Sequence, residues 1–371
     1  MISASLYKPI YWAIVTILSI WVFAKYKYVS MDGVTAKSVR VNARGAVINA
    51  PVVLLLAMIA FIGLRPVSGV YFVDMAGYYD WYNHTLGDNF TFSLHTENFI
   101  WDNLFAWWIY RKLGFSLFML LVATIYFGCA FAACKKMFPN DTLTVFLVFL
   151  GAFSTFSYGT NGIKAGAAAS VCLLALAYKD KLVPFVILLI ASWGLHHSMV
   201  MVLVSVIIAK YVKNTKLFFV VWGLSLLIAA AHIDFFQGIF ASMADERGMR
   251  YLQTESNYEG YYTGFRFDFV IYSAMPIIIG WFLLMKRNIK DNGYEFWLRV
   301  YLISNSIWML CMYASFTNRI AYLSWFLYPI VLIYPFFKFK WSAKQYVIGR
   351  NIAFAQLAFT LFMEFAYYAK P

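Results

Sequence analysis

Charge is scarce in this chain. Asp, Glu, Lys and Arg make up 13% of the 371 residues, while 63% are hydrophobic. A soluble domain holds about 25% charged and about 45–50% apolar residues, so an ordinary soluble globule is excluded. Acid is scarcer still, with 17 Asp and Glu against 30 Lys and Arg and a formal net charge of +13. That excess does not mark a nucleic-acid partner, because the basic residues punctuate hydrophobic runs and form no single stripe. Cysteine is limited to Cys129, Cys134, Cys172 and Cys311. All four fall inside apolar runs without metal-ligand spacing and read as buried small hydrophobes. No His-x-x-x-His and no carboxylate partner stands at ligand spacing, so neither a metal nor another cofactor is expected. A cleavage site is lacking as well. Ile10–Phe23 is followed by Ala-Lys-Tyr-Lys, so this run reads as a first span and not as a signal peptide.

Long apolar runs dominate instead. Leu143–Phe153 and Leu217–Ala231 are continuous and lack the alternation of a barrel strand. Backbone in lipid is satisfied only within helices or closed barrels. The expectation is therefore an all-α integral membrane protein, a single polytopic domain over 1–371. A span needs about 20 largely apolar residues, which predicts about twelve transmembrane helices. They fall near 9–25, 46–64, 115–134, 142–158, 162–178, 182–195, 198–212, 217–232, 267–285, 299–314, 320–337 and 346–366. The runs 182–195 and 198–212 are short and meet at His196-His197. A second reading makes them two halves of a broken pair, as where backbone lines a cavity.

Twenty of the 30 basic residues fall on one set of alternate connections, from Lys25 to Arg350. The positive-inside rule makes that set cytoplasmic. An even number of spans then puts both termini outside. Most acids, Asp74, Glu97 and Asp102 among them, fall on the opposite, outer side. Two outer segments are long, about 65–114 and 233–266, and long connections are usually functional or disordered. The first is rich in aromatics, Tyr78, Trp81, Trp101, Trp107 and Trp108 among them, and so is not disordered by composition. Two readings stand for these rings, an aromatic belt at headgroup level or faces for sugar rings. Asn98–Arg111 has an apolar face suited to a helix lying in the interface.

The outer side gathers Arg65, Asp74, Glu97, Asp102, Lys164, His197, Arg250, Arg266 and Arg319. A charge at the end of a span is costly unless it is paired or used. Arg and Lys there suit a phosphate or pyrophosphate. Carboxylates and histidine suit general-base work on a hydroxyl. Together they describe a site for a lipid-linked sugar. Gly162 and Gly166 also have the spacing of close helix packing, and a lone histidine such as His196 or His197 is commonly structural.

Four pieces of this pattern resemble the EpsG-type, Wzy-like polymerases of bacterial surface polysaccharides. Arg65 closes an apolar span ahead of Asp74-Met-Ala-Gly-Tyr78. Glu97 precedes Trp101-Asp102-Asn103-Leu104-Phe105. Asn161-Gly-Ile-Lys164 is similar to an Asn-x-Ile-Arg-Gln segment, with lysine in place of arginine and Ala165 in place of glutamine. His197-Ser198 follows an apolar span, and Asn318-Arg319-Ile-Ala-Tyr322 comes near the end.

The resemblance implies a GT-C-like glycosyltransferase in the bacterial cytoplasmic membrane, with its active site facing outward. Such an enzyme moves a growing glycan from undecaprenyl diphosphate onto a lipid-linked repeat unit. Its partners are that lipid-linked glycan and membrane lipid, with a chain-length regulator as a further possibility. His197, Asp74 and Glu97 are the candidate catalytic groups. Arg319, Arg266, Arg250, Lys164 and Arg65 are the candidate diphosphate ligands, and Tyr78, Trp81 and Trp101 the candidate sugar-contacting rings. Two other readings stay open: a lipid-linked oligosaccharide flippase, and a ligase-like or acyl transferase on the same face.

Overall fold

The computed structural model describes residues 2–24, 50–87, 89–233, 235–241 and 264–367. No strand occurs among them. Five helical stretches are long and apolar enough to cross a membrane, or six if one bent pair counts as a span. Five shorter apolar helices of 10–17 residues accompany them. These are the helices of a membrane protein.

The chain packs as two compact units. Unit 1 holds Met1–Leu195 and Ile333–Pro371, and unit 2 holds His196–Leu332.

Unit 1 is built from α1 (Tyr7–Phe23), α2 (Ala50–Gly63), α3 (Val73–His84), α4 (Phe99–Tyr110), α5 (Phe115–Met137), α6 (Thr142–Leu150), α7 (Phe153–Thr160), α8 (Ile163–Ala177) and α9 (Leu182–Leu195). Helix α5 has 23 residues; at 1.5 Å each it is about 35 Å long, enough for a hydrocarbon core of about 30 Å. Helix α8 lies between α5 and α9. It is almost wholly buried and rich in alanine and glycine, which lets the neighbouring backbones approach. The Ser192 hydroxyl of α9 donates to the Ala168 carbonyl at 2.8 Å, and Ser170 donates to the Ile125 carbonyl of α5 at 3.3 Å.

The run expected as one span over 142–158 is a helix broken at Gly151-Ala152, with α6 and α7 bent by 74°. A break strands carbonyls that a continuous helix would satisfy, and lipid supplies no donor. Here side chains supply them in order. Gln356 donates to the Val148 carbonyl, Thr155 to Phe149, Tyr11 to Leu150 and Thr360 to Gly151, at 2.9, 2.6, 2.8 and 3.0 Å. Gln356 and Thr360 belong to the last long helix, so residues more than two hundred positions away hold the bend.

One end of unit 1 brings together Lys136 over the Tyr178 ring and Lys338 over the Phe138 ring. These lysines belong to the set assigned to one side by charge. At the other end Tyr7 stacks on Phe61 and meets Phe72 edge-on. Lys8 pairs there with Glu364, so α1 begins beside the place where the final helix ends.

Unit 2 is built from α10 (Met199–Tyr211), α11 (Thr215–Ala230), α12 (Phe235–Ala241), α13 (Phe267–Trp281), α14 (Asn292–Leu310) and α15 (Thr317–Trp325). Next comes α16 (Tyr328–Lys338), which starts in unit 2 and ends in unit 1, and then α17 (Gln345–Phe362) of unit 1. The centre of unit 2 is α14, packed against α10, α11, α13 and α15. Its Asn305 is fully buried and satisfied. The side chain accepts from Trp222 Nε1 at 2.8 Å and donates to Ser273 and Ser324 at 3.1 and 3.0 Å. Arg299, also buried, donates to the Ala209 and Lys213 carbonyls and to Thr215, tying the α10–α11 connection to α14.

The long segment near 65–114 is not a bare loop, because it folds as α3 and α4. Of the segment near 233–266, Asp234 and residues 242–263 lie outside the described residues.

Candidate functional site

Arg65 follows the C-terminus of α2. It is buried, 4% exposed, and its terminal nitrogens donate to the Ile62 and Thr160 carbonyls at 2.7 and 2.9 Å. These are last-turn carbonyls of α2 and α7, and a guanidinium complements the negative ends of both helices. The ring of Phe72 covers it at 5.2 Å. Burial lowers this guanidinium to about 10, with Tyr7 opposing, so it stays charged at neutral pH. Arg65 therefore acts as a clamp that joins two helix ends.

Thr160 leads directly into Asn161-Gly-Ile-Lys164, the turn that opens α8. Asn161 donates to the Tyr71 carbonyl at 3.3 Å, and Lys164 lies within the field of Asp102 on α4. Three of the four sequence pieces thus converge in unit 1: Arg65 to Tyr78, Glu97 to Phe105, and Asn161 to Lys164. Helix α4 reaches this place because Gly194 of α9 leaves room. A Cβ there would come within 2.7 Å of Phe99 and Ile100. Asn103 then folds the preceding segment back, accepting from Ser93 N and donating to Ser93 O.

Asp102 is an outer-side carboxylate of the second motif piece. It sits half-buried in the first turn of α4. Burial pushes its carboxyl above the ordinary carboxylate range, and Lys164, the Asn98 backbone and Thr96 pull it part of the way back. Glu97, by contrast, is exposed. Asp74 is half-buried in the first turn of α3.

The three aromatic candidates do meet. Tyr78 lies 5.4 Å from Trp101 and 6.4 Å from Trp81, stacked on the latter. Their exposures differ sharply, 1% for Trp101 against 46% for Trp81. Trp101 is covered by Tyr78 and Phe118, so it supports the cluster while Trp81 offers a face. This distinction had no signal in the sequence.

The remaining candidates belong to unit 2. His196 and His197 form the turn before α10. The Nδ1 of His196 accepts from Ser198 N at 3.2 Å, which commits that ring to the helix start. His197 is half-buried next to it. Arg266, 8% exposed, makes a two-pronged bond to Asp268, at 2.9 Å from Nε and 2.5 Å from Nη2. It also lies over Phe269 at 3.6 Å. Its fork therefore already holds a carboxylate. Arg319 on α15 is exposed and lies over the Phe316 ring at 5.2 Å. Arg250 lies outside the described residues.

The Arg266–Asp268 geometry makes a stability prediction. Removing one partner of a buried pair costs about 3–5 kcal/mol, because it strands a buried charge. Thermal unfolding in detergent should show Arg266→Ala strongly destabilised, with Arg266→Ala/Asp268→Ala regaining much of the loss. A double variant no better than the single one would mean that the pair is not coupled.

The fold and these groups define a class: a helical membrane protein that carries paired charges and aromatic rings at helix ends. Residues 49–371 match the EpsG family, and the chain belongs to that family. No curated protein and no solved structure matches it. The family points to a polysaccharide polymerase type of function.

Proposed function

We propose that this protein is a glycan polymerase working at the outer face of the bacterial cytoplasmic membrane. It transfers a growing chain from undecaprenyl diphosphate to a lipid-linked repeat unit. The observation that carries this reading is the convergence of the family's motif residues around the Asn161–Lys164 turn of unit 1, beside an exposed aromatic face. The twelve-span, GT-C-like arrangement with both termini outside belongs to the same proposal. The pairing of Lys8 with Glu364 supports an even number of crossings.

The chemistry is a substitution at the anomeric carbon. The acceptor hydroxyl loses its proton to a base and its oxygen bonds to that carbon. The bond to the phosphate oxygen breaks and lipid diphosphate leaves. A diphosphate is a good leaving group, so fixed positive charge suffices to stabilise it without a general acid. Arg319, exposed on α15, and Lys164 are described candidates for this role; Arg65 and Arg266 hold helix carbonyls and Asp268. Arg250 is a further candidate from sequence. Trp81 and Tyr78 would carry a sugar face.

His197, Asp74 and Glu97 remain candidate bases, and the geometry adds Asp102. A base must be deprotonated to act. If Asp102 serves, activity falls as the medium is acidified, beginning above the usual carboxylate range because burial raises this group. Lys164 is the charged group facing it. Lys164→Gln removes an opposing charge and should move the acidic limb to higher pH. Rates measured across pH for the wild type, Lys164→Gln and Asp102→Asn test this. An unmoved limb in Lys164→Gln, or wild-type rates in Asp102→Asn, would return the role to His197, Asp74 or Glu97.

The reaction itself is tested with purified protein in liposomes, supplied with glycolipid extracted from cells that lack this protein. A ladder of lengthening glycans is expected. Movement of the glycolipid across the bilayer without a ladder would make it a flippase. Transfer of single units to another acceptor would make it a ligase.

A further inference from the structure

Helix α4 turns one apolar stripe inward. Trp101, Phe105 and Ile109, four residues apart, are buried. On the other side Trp107 and Tyr110 are exposed. Arg111 and Lys112 follow directly, and both are exposed as well. Two rings and two cations therefore share one helix end.

That end is a Schellman turn. Lys112 N donates to the Ile109 carbonyl at 2.8 Å and Leu113 N to the Trp108 carbonyl at 3.2 Å. Lys112 has φ 53°, the left-handed conformation that glycine usually fills at this position, because a Cβ there crowds the following carbonyl. Two side chains brace the turn. Trp108 Nε1 donates to the Gly114 carbonyl at 3.2 Å, and the Tyr82 hydroxyl of α3 donates to the Leu113 carbonyl at 2.8 Å. Gly114 leads straight into α5, whose 23 residues carry Lys135 and Lys136 in the last turn. A helix of that length reaches across the hydrocarbon core. Its two ends then lie at headgroup level, where Trp and Tyr gather, and the Arg111–Lys112 turn sits at the end opposite Lys135 and Lys136.

We infer that the Arg111–Lys112 turn, with Trp107 and Tyr110, is a binding site for the headgroup of an anionic phospholipid. A phosphate oxygen accepts charge-assisted hydrogen bonds from a guanidinium and an ammonium. The rings occupy the boundary between headgroup and acyl chain, apolar on one side and wet on the other. A zwitterionic headgroup brings its own cation to the same place, so the pair favours a lipid with net negative charge. Cations at a helix C-terminus also complement its dipole. The dipole alone does not call for a side chain in the left-handed position. The site is independent of the reaction proposed above and of the side of the membrane that the turn faces.

The test puts a photo-crosslinking residue one turn before Tyr110, Ala106→p-benzoylphenylalanine, in the full-length protein. The vesicles hold equal amounts of phosphatidylglycerol and phosphatidylcholine, and mass spectrometry reads the ratio of the two lipid adducts. Phosphatidylglycerol should be captured in excess. Adding Arg111→Gln/Lys112→Gln should bring the ratio toward one, with a loss of about fivefold for each cation removed. Lys112→Gly relieves the left-handed residue, so it should melt no lower than the wild type while losing about fivefold of the preference. Lys135→Gln/Lys136→Gln, at the far end of α5, should leave the ratio unchanged. Equal capture of both lipids by the parent protein would overturn the inference, as would an undiminished preference in the charge variants. Displacement of phosphatidylglycerol by an equimolar polyprenyl diphosphate would overturn it too, by making the turn part of the substrate's site. Should Arg111→Gln/Lys112→Gln fail to fold, Lys112→Gly decides.

Discussion

Arg319→Ala is expected to lower polymer formation by at least about a hundredfold, the loss typical for removal of a group that stabilises developing oxyanion charge. Arg319→Lys should recover only a minor part. The guanidinium is exposed and already oriented over Phe316. Its planar fork can give two parallel hydrogen bonds to phosphate oxygens, which a compact ammonium cannot. A charge-assisted hydrogen bond contributes about 1.5–3 kcal/mol, and about 1.4 kcal/mol is a factor of ten in rate. Initial rates of ladder formation at matched protein level check this. Unchanged ladders in Arg319→Ala would remove the residue from the site. Full rescue by lysine would mean that a point charge is enough.

Gly166→Leu should prevent the protein from accumulating, and Gly166→Ala should lower its stability by about 3 kcal/mol, the upper range for overpacking. Gly166 lies in α8 against the chain of α7. A Cβ there would stand 2.6 Å from the Tyr158 carbonyl oxygen and 3.0 Å from the Tyr158 Cβ. Both are fixed atoms, so the α7–α8 turn itself would have to move. That turn is pinned by Arg65 at Thr160 and carries Asn161 and Lys164, so activity should fall with stability. Gly128→Ala is the control. Nothing lies within 4 Å of its added Cβ, and alanine favours helix over glycine by about 1 kcal/mol. Equal melting temperatures for the two alanine variants would show that the turn has room to spare.

Much of the architecture was legible because lipid makes it so. Long apolar runs must be helices where no water satisfies the backbone, and the helices fall near the runs. Lys136 and Lys338, grouped by the charge rule, lie at one end of unit 1 against Tyr178 and Phe138. The break at Gly151 was not legible. The sequence suggested a single span over 142–158, and offered a broken pair only as a second reading of the two short runs that meet at His196-His197. The structure bends inside the 142–158 run, and the donors that permit it, Tyr11, Gln356 and Thr360, lie far away in sequence.

The candidate site divides in the same way. Which residue types could serve a lipid-linked sugar followed from the scarcity of charge, because each Arg, Lys, Asp and His in so apolar a chain needs a partner or a task. Which of the two each has is a matter of neighbours. Arg65 and Arg266 look like Arg319 in a list of span ends, yet two carbonyls take the first and Asp268 takes the second. Trp101 and Trp81 look alike in a run of aromatics, yet only Trp81 keeps a free face. Asp102 is one of several outer-side carboxylates in the sequence, yet burial raises it and the charge of Lys164 acts on it. The sequence by itself determined the solvent this protein folds in, its helical class and its family, because these follow from composition and order along the chain. Which partners hold Arg65 and Arg266, and which indole is covered, came from the packing. That depends on side chains up to several hundred residues apart meeting within hydrogen-bond distance.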